Sequence, residues 1–274
     1  MAVITNIGLD HLETLGPSLE QIAWHKAGIA AHAAHVVTTQ RASESLALIE
    51  RECSESGATL AKVAWRRSDV GGDVGGAAEV SLGGHWVSLG ADCADHQAAN
   101  AAAALVTVEW LARRHGFDLP PVRLDRLFSD GLPGRFEIVQ ESPRVILDGA
   151  HNIDKVTALV AQFQREYPGV RATVAFGVLA RKSPESLIRL LEPIAERFIA
   201  LTPRSVGKPA LGAADVQALV SRVTGMTCTI GEGTVLAVER WMQEAKPSQT
   251  LIVTGSMYLV GEVRTRWFPI DRLI

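Results

Sequence analysis

From residue 144 onward the chain repeats one rhythm: a short, almost continuous apolar run, then an amphipathic stretch of helical period. The runs are RVILD (144–148), ATVAFGV (172–178), RFIALTP (197–203), TCTIG (227–231) and TLIVTGS (250–256). Between them lie NIDKVTALVAQFQREY, SPESLIRLLEPIAERF, AADVQALVSRV and TVLAVERWMQEA. A strand that is apolar on both sides must be covered on both faces, and a strand followed by a helix returns parallel to its neighbour. The rhythm therefore predicts a Rossmann-like α/β domain with a mostly parallel sheet. Ligands of such sheets gather at the carboxyl ends of the strands. Asp148, Gly177, Thr202 and Thr254 fall at those ends.

The first half is less regular. AVITNI (2–7) reads as a strand, and PSLEQIAWHKAGI as a helix that Ser18 can cap, with Gln21 completing an S-x-x-Q box. VVTTQ (36–40) is a second strand, and SESLALIERECSESG (43–57) a helix closed by glycine. The glycine-rich stretch SDVGGDVGGAAEVSLGGHWVSLG predicts β-hairpins, with Gly83 and Gly84 in a tight turn. HQAANAAAALVTVEWLARRHG (96–116) is a long helix with small residues on its packing face. The Pro- and Gly-rich segment that follows places a domain boundary near Gly131 to Glu141.

Composition excludes several classes. The net charge is −3, from 27 basic and 30 acidic residues with no basic run, which argues against a nucleic-acid binder. Cys53, Cys93 and Cys228 are far apart and form no pair motif, as expected of reduced thiols in the cytoplasm. The N-terminus lacks the pattern of a signal peptide, and the longest apolar runs are too short to span a bilayer.

No G-x-x-x-x-G-K-[ST] sequence is present; the nearest fragment, Val206-Gly207-Lys208-Pro209, has proline where the hydroxyl belongs. No G-x-G-x-x-G follows a strand. Asp10 and His11, after the first strand, read first as a loop or cap, and otherwise as a pair facing a metal or phosphate. Lys26 shares a helix face with Ile22 and Ala23. It is either a snorkelling lysine or a desolvated amine able to form a carbamate. His25, His32 and His35 match no zinc spacing and are expected to be exposed around a turn. Asp148-Gly149-Ala150-His151-Asn152 ends a buried strand and opens a helix, with Asn152 placed as N-cap. The cap explains one residue of the group; the acid, the glycine and the histidine point to a site at a helix start, where anions are favoured. Arg135, in the preceding LPGR segment, reads either as a solvated linker arginine or as a group whose fork geometry suits a phosphate in a cleft between the two halves.

TNIGLDHLETLG, EQIAWHKAGI, HQAANAAAA, LPGRFE, ILDGAHN, FGVLARKS and LIVTGSMYLVGEVR occur in this order from Val3 to about Arg264. Together they resemble the folylpolyglutamate synthase/dihydrofolate synthase branch of the Mur ligase superfamily. The resemblance implies an α/β chain in two parts. On this resemblance residues 1–132 would be the C-terminal part of a Mur-ligase-like central ATPase domain, without its P-loop part, and residues 133–274 a Rossmann-like glutamate ligase domain.

It implies ATP and Mg2+ as cofactors and a folate or dihydropteroate with L-glutamate as substrates, joined through an acyl phosphate. His11 resembles the magnesium ligand of the family's LDH motif. Lys26 resembles its KAGI lysine, which is carbamylated and helps hold the metal region. Asn100, Arg135 and Asp148 resemble three residues that contact ATP. His151 of DGAHN is placed near the γ-phosphate and the incoming amine.

The GTNGKGS-type P-loop and an acidic residue that shares the magnesium would precede the motifs found here, so a separate N-terminal P-loop segment is the expected partner. A shortened gene, an expressed fragment and a split enzyme all fit that reading. In two further departures, Ile153 stands where the family usually has proline, and RSVGKPAL names no glutamate-binding residue. Two other readings compete: a non-catalytic remnant or regulatory binding protein, and a nicotinamide dehydrogenase supported only by the strand–helix rhythm. A sheet open at residues 1–130 is expected to make that half the less stable one.

Overall fold

The computed structural model describes residues 1–9, 12–68, 77–90, 95–118, 132–180 and 184–269. The chain forms two compact units, Met1–Asp130 and Gly131–Ile274.

The first unit holds a parallel sheet of β1 (Ala2–Ile4), β2 (His35–Thr38) and β3 (Thr59–Lys62), in that order. Three helices accompany it: α1 (Leu12–Leu15), α2 (Leu19–Ala27) and α3 (Ser43–Ser56). Helix α2 starts where the Ser18 hydroxyl oxygen accepts the Gln21 N–H at 3.2 Å, as the S-x-x-Q spacing predicts. Helix α3 ends at Gly57, whose φ of 71° suits a residue without a Cβ. Ile22, Ala23 and Ala27 of α2 and Ile49 and Cys53 of α3 bury one face of the sheet with Ala2, Ile4 and Val36.

Val37 points into a second cluster with Val80, Leu89, Ala98 and Ala102. That cluster joins the sheet to the antiparallel strands β4 (Trp65–Arg67), β5 (Ala78–Leu82) and β6 (His85–Gly90) and to helix α4 (Asp95–His115). The β5–β6 turn is Gly83-Gly84, with φ of 55° and 85°. A two-residue hairpin of this twist needs positive φ at both positions. The alanines of α4 let its backbone lie close to the sheet.

His35 departs from the sequence expectation of an exposed turn histidine. It is buried within β2 and stacks on Trp110 of α4, with ring centroids 4.6 Å apart. The Thr59 hydroxyl lies 2.6 Å from His35 Nδ1 and 3.3 Å from the Ala34 carbonyl oxygen. Nε2 is buried without a hydrogen-bond partner among the described residues. Burial, aided by the N-terminal ammonium, pulls this imidazole below the ordinary histidine value. The folded state thus resists a proton that the unfolded chain accepts near pH 6.5. Stability from this residue is present above that pH and is lost as pH falls below it. Thermal unfolding of the full chain at pH 8 and pH 5.5 should show the loss in the first unit. His35→Phe, which keeps the stack, should reduce it; equal pH sensitivity in the variant would rule His35 out.

The second unit is a six-stranded sheet. Its strands are β7 (Glu137–Glu141), β8 (Arg144–Leu147), β9 (Ala172–Phe176), β10 (Ala195–Ala200), β11 (Cys228–Ile230) and β12 (Thr250–Thr254). The order is β11-β10-β9-β12-β8-β7, parallel except for β7, which runs antiparallel to β8. The mostly parallel α/β sheet is the one the strand–helix rhythm predicts.

Side chains alternate between two cores. Ile146, Val174, Phe176 and Ile252 face helices α5 (Ile153–Glu166), α6 (Pro184–Leu191) and α7 (Ala213–Thr224). Val145, Leu147, Ala175 and Val253 face α8 (Thr234–Glu244) and α9 (Met257–Arg264). Strand β7 lies in the segment where the sequence places the domain boundary; EIVQE shows no apolar–polar alternation, and its register against β8 shifts between Ile138 and Gln140, as at a bulge. The helical reading of SPESLIRLLEPIAERF also stops early. Pro193 cannot continue α6, a 3-10 turn follows, and Ala195 and Phe198 are buried as strand residues. No helix among the described residues is long and apolar enough to cross a membrane.

Candidate active site at the strand ends of the second unit

Strand β12 is inserted between β8 and β9. The chain leaves β8 toward α5 on one face of the sheet and leaves β12 toward α9 on the other. Neighbouring strands whose exits diverge open a crevice at their carboxyl ends, the usual ligand position in such sheets. Backbone bonds lock the three strand ends together. Asp148 N–H donates to Val253 O at 3.0 Å, Gly255 N–H to Ala150 O at 3.0 Å, and Gly177 N–H to Thr254 O at 3.2 Å.

Asp148 ends β8 and is 9% exposed. One carboxylate oxygen accepts the Ala150 N–H at 2.8 Å and the other the Phe136 N–H at 2.9 Å. Burial pushes its pKa upward, opposed by those two amides and then by the charges of Arg135 and Lys155. The acid therefore shapes the backbone on both sides of the site. Phe136 has φ of 46°, uncommon for a bulky residue, and its amide is the one held by Asp148.

The turn before it, residues 132–135, is pinned as well. Glu137 accepts the Gly134 N–H at 2.8 Å and takes the Arg264 guanidinium, with Nε 3.0 Å from each carboxylate oxygen. Gly149 N–H donates to Gly134 O at 2.9 Å. The Arg135 backbone is thus rigidly presented. Its guanidinium donates to the Met257 sulfur at 3.4 Å. A thioether is a weak acceptor, so the fork keeps donors for an anion.

His151 follows Gly149 and Ala150. Its Nδ1 lies 2.8 Å from the Gly149 carbonyl, and its Nε2 lies 3.2 Å from Lys155 Nζ. Asn152 caps α5 as its sequence position predicts, its side-chain oxygen accepting the Lys155 N–H at 3.0 Å. Thr202 also serves a helix start: its hydroxyl oxygen accepts the Ala213 N–H at 2.8 Å.

Of the residues singled out in the sequence, Arg135, Asp148 and His151 come together here. Lys26 and Asn100 belong to the first unit. Lys26 is half-buried on the last turn of α2, on the face of Ile22 and Ala23, and Asn100 is exposed on α4. Asp10 and His11 lie outside the described residues. Among the described residues no group of three or more His, Cys, Asp or Glu side chains could hold a metal ion.

Sequence reasoning missed Glu137, Arg264, Met257 and Lys155. The first three stand inside LPGRFE and TGSMYLVGEVR, stretches noted only as motifs. A pairing between residues 127 apart leaves no local signal.

Residues 134–257 match the model of the Mur ligase, glutamate ligase domain. The dihydrofolate synthase/folylpolyglutamate synthase of Bacillus subtilis is 28% identical over 284 aligned residues, covering 97% of this chain and 62% of that protein. The folylpolyglutamate synthase of Lacticaseibacillus casei is 26% identical, over 96% of this chain and 61% of that protein. The chain thus spans less than two thirds of the length of these relatives.

Among solved structures, Escherichia coli FolC in complex with DHPP and ADP superposes with a TM-score of 0.77 at 25% identity, over 99% of this chain and 61% of that one. The fold is shared too with Mycobacterium tuberculosis folylpolyglutamate synthase complexed with ADP and AMPPCP, with a TM-score of 0.76 at 23% identity over 97% of this chain and 63% of that one. The chain is therefore similar to proteins of the folylpolyglutamate synthase/dihydrofolate synthase group, and its residues 134–257 match the Mur ligase, glutamate ligase domain.

Proposed function

We propose that the chain is part of an ATP-dependent amide ligase that adds L-glutamate to the carboxylate of a folate or dihydropteroate. The observation that carries this reading is the pinned Arg135 turn beside Asp148 and His151, at the strand ends of a domain that matches the glutamate ligase model. A carboxylate is a poor electrophile, and phosphorylation supplies its leaving group. Catalysis of that kind depends on positioned charge more than on covalent chemistry of the protein.

ATP, when bound, supplies the phosphoryl group that activates the acid. We assign Arg135 to its phosphates, because the guanidinium has donors to offer and a fixed backbone behind it. Asp148 holds the turn that carries Arg135, and its remaining lone pairs are the ones open to the nucleotide. Asn100 is assigned to ATP from the first unit. His151 is assigned to the neighbourhood of the incoming amine. Lys26 and His11 are assigned to the region of Mg2+; the described residues do not themselves build a metal site. We further propose that a P-loop-bearing segment completes the triphosphate cradle and that the protein works in the cytoplasm.

The test is an assay with ATP, Mg2+, dihydropteroate or a reduced folate, and glutamate. Phosphate and amide product are expected when the chain is supplied with a GTNGKGS-type N-terminal segment, and not from the chain alone. Turnover by the chain alone would remove the cradle from the proposal. No product with any such segment would favour the non-catalytic remnant.

A further inference from the structure

We propose that Lys155 is a positioning residue that holds His151 in one tautomer and keeps its ring uncharged. This rests on the reading above, in which His151 serves the amide-forming step, and it adds which nitrogen is available and what controls it.

A carbonyl oxygen can only accept, so the 2.8 Å contact with Gly149 O puts the His151 proton on Nδ1. Nε2 is then a lone pair. A lysine ammonium can only donate, and Lys155 Nζ stands 3.2 Å from that lone pair. The ring is gripped at both nitrogens by groups of opposite hydrogen-bonding character.

Lys155 occupies the third position of α5, with its N–H fixed by the Asn152 cap. The first turn of a helix disfavours a cation, because the aligned backbone dipoles are positive there. A lysine here is stabilised by a neutral acceptor such as the imidazole lone pair. Protonating Nε2 would set an N–H against an ammonium at the same distance, and the helix start would oppose the new charge as well. Among the described residues, the charged groups around this pair include Asp154, next to Lys155 on α5, Asp148 at the end of β8 and Arg135 in the 132–135 turn. The charges of Lys155 and Arg135 both act on Asp148, which makes these groups one electrostatic cluster. A ring held neutral with its lone pair on Nε2 can take a proton from a substrate ammonium when Lys155 moves aside. The N–H bond of the substrate breaks and the Nε2–H bond forms.

Long-range 1H–15N correlation of the histidine rings in the full chain tests this without substrate. His151→Gln identifies the His151 signals. The wild-type ring should be protonated on Nδ1 and neutral through pH 6. In Lys155→Met the titration midpoint of His151 should rise by about one pH unit, and Lys155→Arg, which keeps a cationic donor, should reverse most of that rise. A wild-type ring protonated on Nε2, or a midpoint that does not move in Lys155→Met, overturns the proposal. The ring measurement needs no turnover, so a failed ligase assay would count against the proposed function and not against this assignment. In an assembled ligase, Lys155→Met should lower kcat more than it changes KM and shift the acid limb of the pH profile.

Discussion

Gly255→Ala should destabilise the second unit by about 3–4 kcal/mol, combining backbone strain with overpacking against groups that cannot move. Gly255 follows β12 with φ of 103°, which L side chains rarely adopt. A Cβ built there would lie 2.6 Å from the Gly177 carbonyl oxygen and 2.8 Å from the Phe176 ring. The carbonyl belongs to a backbone tied by the Gly177–Thr254 hydrogen bond, and Phe176 is fully buried. Neither neighbour is the free end of a flexible side chain. Gly169→Ala is the control: φ there is 76°, but the added methyl meets nothing within 4 Å. It should cost only about 1 kcal/mol. Urea unfolding of the two variants separates the terms. A similar loss in both would show that the close approach of the β9 and β12 ends does not constrain residue 255.

The second large effect is expected at Asp148. Asp148→Ala leaves the amides of Phe136 and Ala150 without their acceptor in a buried setting, at about 3 kcal/mol for the pair. Asp148→Asn should not rescue it. An amide has one acceptor oxygen, so its NH2 group would face one of the two backbone N–H donors. Hydrogen exchange gives the local reading. Both amides should be protected in the native chain and exchange about 100-fold faster in the alanine variant, in keeping with about 2.7 kcal/mol of lost local stability. The Arg135 turn should loosen with them, because Phe136 holds its positive φ next to that bond. Native-like protection and stability in Asp148→Asn would mean that the carboxylate is not the brace of this turn.

The two effects differ in how they could be read from the chain. An acid after a buried strand and before Gly149 signals a site, but not that both its oxygens go to backbone amides on either side of it. Gly255 reads as a strand-end glycine; its need for φ of 103° arises from how closely two non-consecutive strands meet. His35 shows the same limit. Its sequence neighbours suggest an exposed turn, and burial comes from Thr59 and Trp110, which are distant in the chain.

The amino-acid sequence by itself determined the features that depend on near neighbours. These include the period that separates strands from helices, the Ser18 and Asn152 caps, the Gly57 stop and the Gly83-Gly84 turn. Each is set by residues within a few positions, where sterics and one hydrogen bond decide the outcome. Only the tertiary structure decided the rest: β12 between β8 and β9, Glu137 holding Arg264, Lys155 against His151 Nε2, and β7 as an edge strand. Apart from the short-range Lys155 contact, which needs the turn at the start of α5 to form, and the β7–β8 hairpin, these joins close loops of dozens of residues. Their partners are chosen by packing and by the need to pair every buried polar group, conditions that no short stretch of chain contains.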